Sequence, residues 1–244
     1  FNGTVTISGD TTLEDGADII TASAGTSNFR AGVNAGNSIQ SGGNYNVTVG
    51  DEAGTAISTG DNNTFVGYAS GDALTTGTES VAVGSNALSA AVGSDKNTAL
   101  GAYALRNDTE GESSVAVGHQ ALNAQNFTTA TSAYNVAVGA NAGVSVTTGT
   151  LNTLVGGLAG DAITTGLNNV GVGYLAMSAL TEGARNTALG TGALDADTLG
   201  SFSTAIGYGS LTTQNLTTAT DTYNTALGYL SGALVTTGVN NTLI

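Results

Sequence analysis

One five-residue phrase returns along most of this chain: Asn or Ser, then Val or Thr, a small residue, then Val, Leu or Ile, and Gly. Asn97-Thr98-Ala99-Leu100-Gly101 and Asn186-Thr187-Ala188-Leu189-Gly190 are typical. In extended backbone, alternate side chains point to opposite faces, so positions two and four share one face and position three takes the other. Position two is Val or Thr. Position four runs Val49, Val66, Val83, Leu100, Val117, Val138, Val155, Val172, Leu189, Ile206, Leu227 and Ile244. Branched side chains suit pleated backbone, so each phrase predicts a short strand, and stacked phrases predict a continuous apolar rib. Position three is mostly Ala, and a second small column follows each Gly by three residues (Ser70, Ala87, Ala104, Ala121, Ala142, Ala159). On that side another backbone can come close.

The closing glycines fall at Gly50, Gly67, Gly84, Gly101 and Gly118, then from Gly139 to Gly207, and at Gly228. Four spacings of 17 residues are followed by one of 21, and the series then repeats, making a larger unit of 89 residues. A short strict period of this kind predicts an all-β parallel β-solenoid (a β-roll), whose coils cannot bury a core without their neighbours. The longer coils carry matching segments, Gln125-Asn126-Phe127-Thr128-Thr129-Ala130-Thr131 and Gln214-Asn215-Leu216-Thr217-Thr218-Ala219-Thr220.

Two kinds of coil alternate. One has Gly four residues after the closing Gly and an aliphatic residue three further on: Gly71 with Leu74, Gly143 with Val146, Gly160 with Ile163, Gly232 with Val235. The other has Leu88, Leu105, Leu122, Met177, Leu194 or Leu211 at the fourth place. Two of the first kind and three of the second make each long unit, which is duplication of a module. The Asn or Ser opening each phrase is expected at a turn, bonding local backbone and pairing coil to coil. The closing Gly is expected at positive φ.

Residues 1–27 lie outside the period. Gly3-Thr4-Val5-Thr6-Ile7-Ser8-Gly9 predicts a strand and Glu14, Asp15 and Asp18 a polar turn, so 1–27 reads as a β lead-in. Residues 28–244 form the shaft, opening with an imperfect coil that holds Gly32, Gly36 and Gly42. At a rise of ~4.8 Å per coil, the steps from Gly50 to Gly228 span roughly 48 Å. Ile244 stands at position four, where the period calls next for Gly, so the polypeptide is expected to continue.

Composition narrows the function further. The 37 glycines are not every third residue and there is no Pro, which excludes collagen. With no Cys there are no disulfide staples. Four cations, Arg30, Lys96, Arg106 and Arg185, stand against 18 carboxylates for a net charge of −14, which excludes a phosphate-binding surface and with it nucleic acid. Such acidity suits solubility at high ionic strength. No apolar run approaches the length of a membrane-spanning helix. Only 5% of residues are aromatic, so large rings do not plug the coils. Two small or apolar faces exceed what a thin single-chain solenoid covers, and self-association, as a homotrimer, is the economical way to bury them.

Residues with candidate chemistry fall on the same columns. His119 is the only histidine, which excludes a His-based triad or a multi-histidine metal site within one chain. It follows the closing Gly where other coils carry Tyr68, Tyr174, Tyr208 and Tyr229, and reads as an exposed turn residue. Asp108 with Glu110 and Glu112, and Asp195 with Asp197, could pair as glycosidase carboxylates. Asp108 and Asp197 occupy one column, however, and both are expected at solvated turns. Asp61-Asn62-Asn63 lacks the ligand count of a calcium loop. Sequons at Asn126 and Asn215 matter only in a secreted eukaryotic protein. Paired threonines (Thr75-Thr76, Thr147-Thr148, Thr164-Thr165, Thr236-Thr237) suggest an ice-binding array, but the second kind of coil interrupts it. The expectation is no catalytic residue, no metal site and no cofactor.

The phrases N-T-A-L-G followed by x-x-A-L, or by x-x-A/S-G-x-A-L-T-T-G, resemble the repeats of bacteriophage tail fibres, especially of phages from marine hosts. They are also similar to the head repeats of YadA-like trimeric autotransporter adhesins, left-handed parallel β-rolls in homotrimers. The likeness covers about residues 28–244, and the usually shorter adhesin period favours the phage reading. Neither family brings catalytic residues to carry over. The resemblance implies a structural shaft in a virion tail, attached upstream to a tail or baseplate protein and holding a tip that binds a host surface receptor. The alternative is a trimeric adhesin or extracellular filament on a bacterial surface.

Overall fold

A computed structural model describes residues 23–244; the strand expected at Gly3–Gly9 lies outside them. Thirteen short strands form one parallel sheet in strict chain order. They are Phe29–Ala31, Val47–Val49, Thr64–Val66, Val81–Val83, Thr98–Leu100, Val115–Val117, Val136–Val138, Thr153–Val155, Val170–Val172, Thr187–Leu189, Thr204–Ile206, Thr225–Leu227 and Thr242–Leu243. Each is the middle of one phrase, and each pairs in register with the same three positions of the next, as Thr153, Leu154 and Val155 do with Val170, Gly171 and Val172. The chain is a parallel β-solenoid with 17-residue coils. The imperfect first coil joins it through Phe29–Ala31, and residues just before it are already attached, since the Tyr45 amide donates to the Thr26 carbonyl.

Position three points into the coil. Phe65, Ala82, Ala99, Ala116, Ala137, Leu154, Ala188, Ala205 and Ala226 are fully buried, together with the small column at Ser70, Ala87 and Ala104. Side-chain volume inside a coil is shared among position three and the fourth and seventh residues after the closing Gly. Where position three is Phe65, the fourth residue is Gly71, whose added Cβ would lie 2.5 Å from the Phe65 ring. Leu154 is matched in the same way by Gly160 at 2.7 Å. Where position three is Gly171, the fourth and seventh are Met177 and Leu180, both fully buried. The two kinds of coil are therefore two ways of filling one cross-section at close-packed density.

The fourth place has left-handed backbone in both kinds: φ is +55° at Gly71 and +54° at Leu88 and Leu194. For leucine this costs on the order of 1–2 kcal/mol, offset by about 1.5–3 kcal/mol from complete burial of the side chain. The closing glycines have φ from +125° to +141°, as expected, and a second constraint besides. A Cβ on Gly156 would stand within 2.4 Å of the Gly173 carbonyl oxygen in the next coil, so backbone occupies the place of a side chain.

From Asn46 to Asn224, each Asn that opens a phrase is fully buried and braces the coil in two directions, Ser80, Ser114 and Ser203 standing in its place in three coils. The Asn152 amide nitrogen donates across its own coil to the Gly166 carbonyl at 2.9 Å, while its Oδ1 accepts from the Asn169 backbone amide at 3.0 Å. The same pair of bonds recurs at Asn46, Asn63, Asn97, Asn135, Asn169, Asn186 and Asn224. The expected turn bonding and coil-to-coil pairing belong to one side chain.

Candidate functional surface

Positions two and four point outward along the full height of the sheet. Val47, Val66, Val115, Val138, Val155 and Ile206 are half-buried, whereas Val83, Leu100, Val170, Leu189 and Leu227 are 37–47% exposed. No charged residue occurs at either position from Val47 to Leu227. With thirteen strands at ~4.8 Å and three residues at ~3.3 Å each, the strip is about 60 Å by 10 Å, roughly 600 Å². A strip of that size is at the upper end of the apolar patches that monomeric proteins expose.

Only one of the two faces expected to need a partner is left uncovered by the chain itself. The alanine side is covered within the chain, by Leu88, Leu105, Leu122 and their equivalents folding over it. The sheet supplies one wall of a closed coil, and the chain's own return segments supply the others.

The carboxylates are not arranged as expected. Asp108 and Asp197 are fully buried, not at solvated turns. They sit at the seventh place after the closing Gly, where other coils carry Leu74 or Ile163. Each stands one coil before a 21-residue coil, where the four extra residues break the backbone ladder. One Asp108 oxygen accepts from the Gly111 and Phe127 backbone amides at 3.0 and 3.1 Å, and the other accepts from the Gln125 side chain. Gln125 also donates to Ser114 and accepts from Asn135, replacing the brace lost at the slip. Asp197, Gln214, Ser203, Asn224 and Leu216 repeat this arrangement. Burial pushes the Asp108 carboxyl above the usual carboxylate range, against the opposing pull of its hydrogen bonds from Gln125, Phe127 and Gly111. These groups tie down the longer coils. The long coils also form two small parallel pairings, Gly111–Glu112 with Thr131–Ser132 and Gly200–Ser201 with Thr220–Asp221. The clue was available in the sequence: both aspartates share the column of a core leucine, seventeen residues before a glutamine.

Glu110, Glu112 and Asp195 are only partly buried while Asp108 and Asp197 point inward, so neither candidate pair faces a common space. His119 is exposed and meets Tyr103 edge-on at 6.0 Å, with Arg106 over the Tyr103 ring at 5.2 Å. Asp61 accepts from the Asn44 amide while Asn63 turns into the buried ladder, so Asp61-Asn62-Asn63 does not converge on a point. Among the described residues no three His, Cys, Asp or Glu side chains gather as metal ligands. Thr75, Thr147 and Thr164 turn their hydroxyls to carbonyls of the next coil, leaving one exposed threonine of each pair, Thr76, Thr148 and Thr165. Asn126 and Asn215 are exposed and accept from Thr109 and Thr198 of the preceding coil. Among the described residues no helix is long and apolar enough to cross a membrane.

These features define a fibrous repeat protein of the parallel β-solenoid class. Comparison with family models, with curated proteins and with solved structures found no match to this chain.

Proposed function

We propose that this chain is a length of the structural shaft of a bacteriophage tail fibre, assembled as a homotrimer, which holds a receptor-binding tip away from the virion. The observation that carries the reading is the charge-free strip of Val, Thr, Leu and Ile running the whole height of the sheet. Three copies related by a three-fold axis along the fibre would bring three such strips together. Each copy would then remove about 600 Å² from water, about 300 Å² of it toward each of two neighbours, less per pair than the ~800 Å² of a standard two-body interface but summed over the whole strip. At roughly 25 cal/mol per Å² of apolar surface this is a driving force on the order of 10 kcal/mol per copy before the cost of association. The strict repetition of one coil along the described residues supports a mechanical role, since each coil adds height to the same rod. The phage assignment rests on the resemblance of the repeats and their 17-residue period.

Light scattering on the purified protein tests the assembly: the expected mass is three times the 23.7 kDa of one chain. The double variant Val138→Asp, Val155→Asp places two carboxylates on adjacent rungs of the strip and is expected to release single chains that keep their β signature. A stable wild-type monomer would refute the assembly. Antibody labelling of virion tails supports the phage reading, whereas labelling of uninfected bacterial surfaces selects the adhesin.

A further inference from the structure

The two 89-residue units share their framework, and one of the places where they differ lies on the outer wall. In the second unit the two residues after successive closing glycines include Gly192 and Gly209, where other coils carry Asn86, Asn141, Leu158 or Leu175. Leu230 takes up the space beside Gly209, whereas the missing side chain at Gly192 leaves a notch of about 360 Å³ between Tyr174 and Tyr208, with Thr191, Thr212 and Asp195 on its walls beside Leu175 and Leu230. That volume is at the small end of ligand sites. The equivalent places 89 residues earlier hold Ser85, Ala102, Tyr103, Arg106, His119, Gln120 and Asn123. There Tyr103 fills the space of Gly192 and is capped by Arg106. The buried tie residues coincide between the units, Asp108 with Asp197 and Gln125 with Gln214, while core positions such as Leu74 and Ile163 or Leu88 and Met177 exchange one apolar residue for another.

We propose that this notch binds one neutral pyranose ring. Tyr174 and Tyr208 are 53% and 56% exposed and offer aromatic faces to the apolar C–H face of a sugar. Tyr208 is held in place on its far side by stacking on Tyr229, 5.5 Å away at 15°. Asp195 takes the Thr212 hydroxyl on one oxygen at 2.8 Å, which orients the carboxylate. Its other oxygen faces the space over Gly192, 3.8 Å from where a Cβ would stand, and is placed to accept a sugar hydroxyl. The Thr191 and Tyr hydroxyls supply further donors and acceptors. This polyol-matching set excludes anionic ligands, since a carboxylate and no cation stands in the notch and the chain carries −14 overall. Hydroxyl partners also favour a sugar over a quaternary ammonium ion, which cannot use them. The site lies beyond the closing glycine, off the strand face, and is built by one chain, so its test stands or falls independently of assembly.

The test is saturation-transfer NMR on the intact protein with the methyl pyranosides of glucose, galactose and mannose, and choline as control. A ligand of about a dozen non-hydrogen atoms at an open site binds in roughly the millimolar range. Transfer to the ring protons of at least one pyranoside is expected. Gly192→Tyr rebuilds the first unit's arrangement: tyrosine is strained at this left-handed backbone, but Tyr103 already holds the same φ of +62° in a folded coil. It is expected to weaken binding at least tenfold with unchanged circular dichroism, as is Tyr208→Ala. No transfer to any pyranoside, transfer undiminished in Gly192→Tyr, or preferential binding of choline each overturns the proposal.

Discussion

Replacing Asn152 by alanine tests the internal ladder that holds the coils together. Asn152 is completely buried and serves two backbone groups: it donates to the Gly166 carbonyl and accepts from the Asn169 amide. Alanine leaves both buried and unpaired, at about 1–3 kcal/mol each, so the expected loss is about 2–6 kcal/mol. Serine is the informative comparison. At Ser80 the hydroxyl accepts from the Asn97 amide at 3.2 Å, so Asn152→Ser retains the coil-to-coil bond and loses only the brace across the coil. Its expected cost is about half that of alanine. Denaturant unfolding measures the total, and hydrogen exchange at the Asn169 amide should accelerate in the alanine variant far more than in the serine variant. If Asn152→Ala unfolds within about 0.5 kcal/mol of wild type, or serine is no better than alanine, the ladder is not what secures the stack.

Other perturbations separate effects that the fold combines. Gly156→Ala and Gly228→Ala both place alanine at strongly positive φ, a strain of about 1–3 kcal/mol each. Only Gly156 has a carbonyl within 2.4 Å of the new Cβ, whereas the nearest atom at Gly228 is 3.9 Å away, so Gly156→Ala should lower the unfolding midpoint markedly further. Equal losses would mean that crowding between coils is unimportant. Burial raises the carboxyl pKa of Asp108 in the folded chain, and likewise of Asp72 and Asp161. Because the folded state then holds the proton more tightly, the stability these groups contribute is full below the unfolded value of 3.8 and is lost as pH rises through the folded values. Unfolding followed by denaturant from pH 4 upward should therefore show stability falling with pH, more weakly in Asp108→Asn. A rise in stability over that window would contradict the assignment. Asp108→Asn also sets an amide donor against the Gln125 donor, and should cost about 1–3 kcal/mol at neutral pH by the same unfolding assay.

The periodic columns made most of the architecture legible. Strands at each phrase, parallel stacking and left-handed glycines all follow from alternation and spacing, because a residue repeated every coil meets its own copy. The asparagine column was legible for the same reason. The burial of Asp108 and Asp197 was less legible: their shared column suggests solvated turns until it is seen that other coils carry a core leucine or isoleucine there, and that the longer coil that follows leaves backbone amides for a buried acceptor.

Sequence alone thus determined the period, the register and which residues stack upon which, since these depend only on spacing along the chain. It could not decide which side of each strand is inside. That depends on where the other segments of the coil return, and they return over the alanines. Volume inside the coil settles the matter: small side chains at position three leave room for leucine from the opposite wall, and the bulkier valines and threonines are turned outward. The notch beside Tyr174 is tertiary for the same reason, being formed by side chains seventeen and thirty-four residues apart that meet only when the coils are stacked.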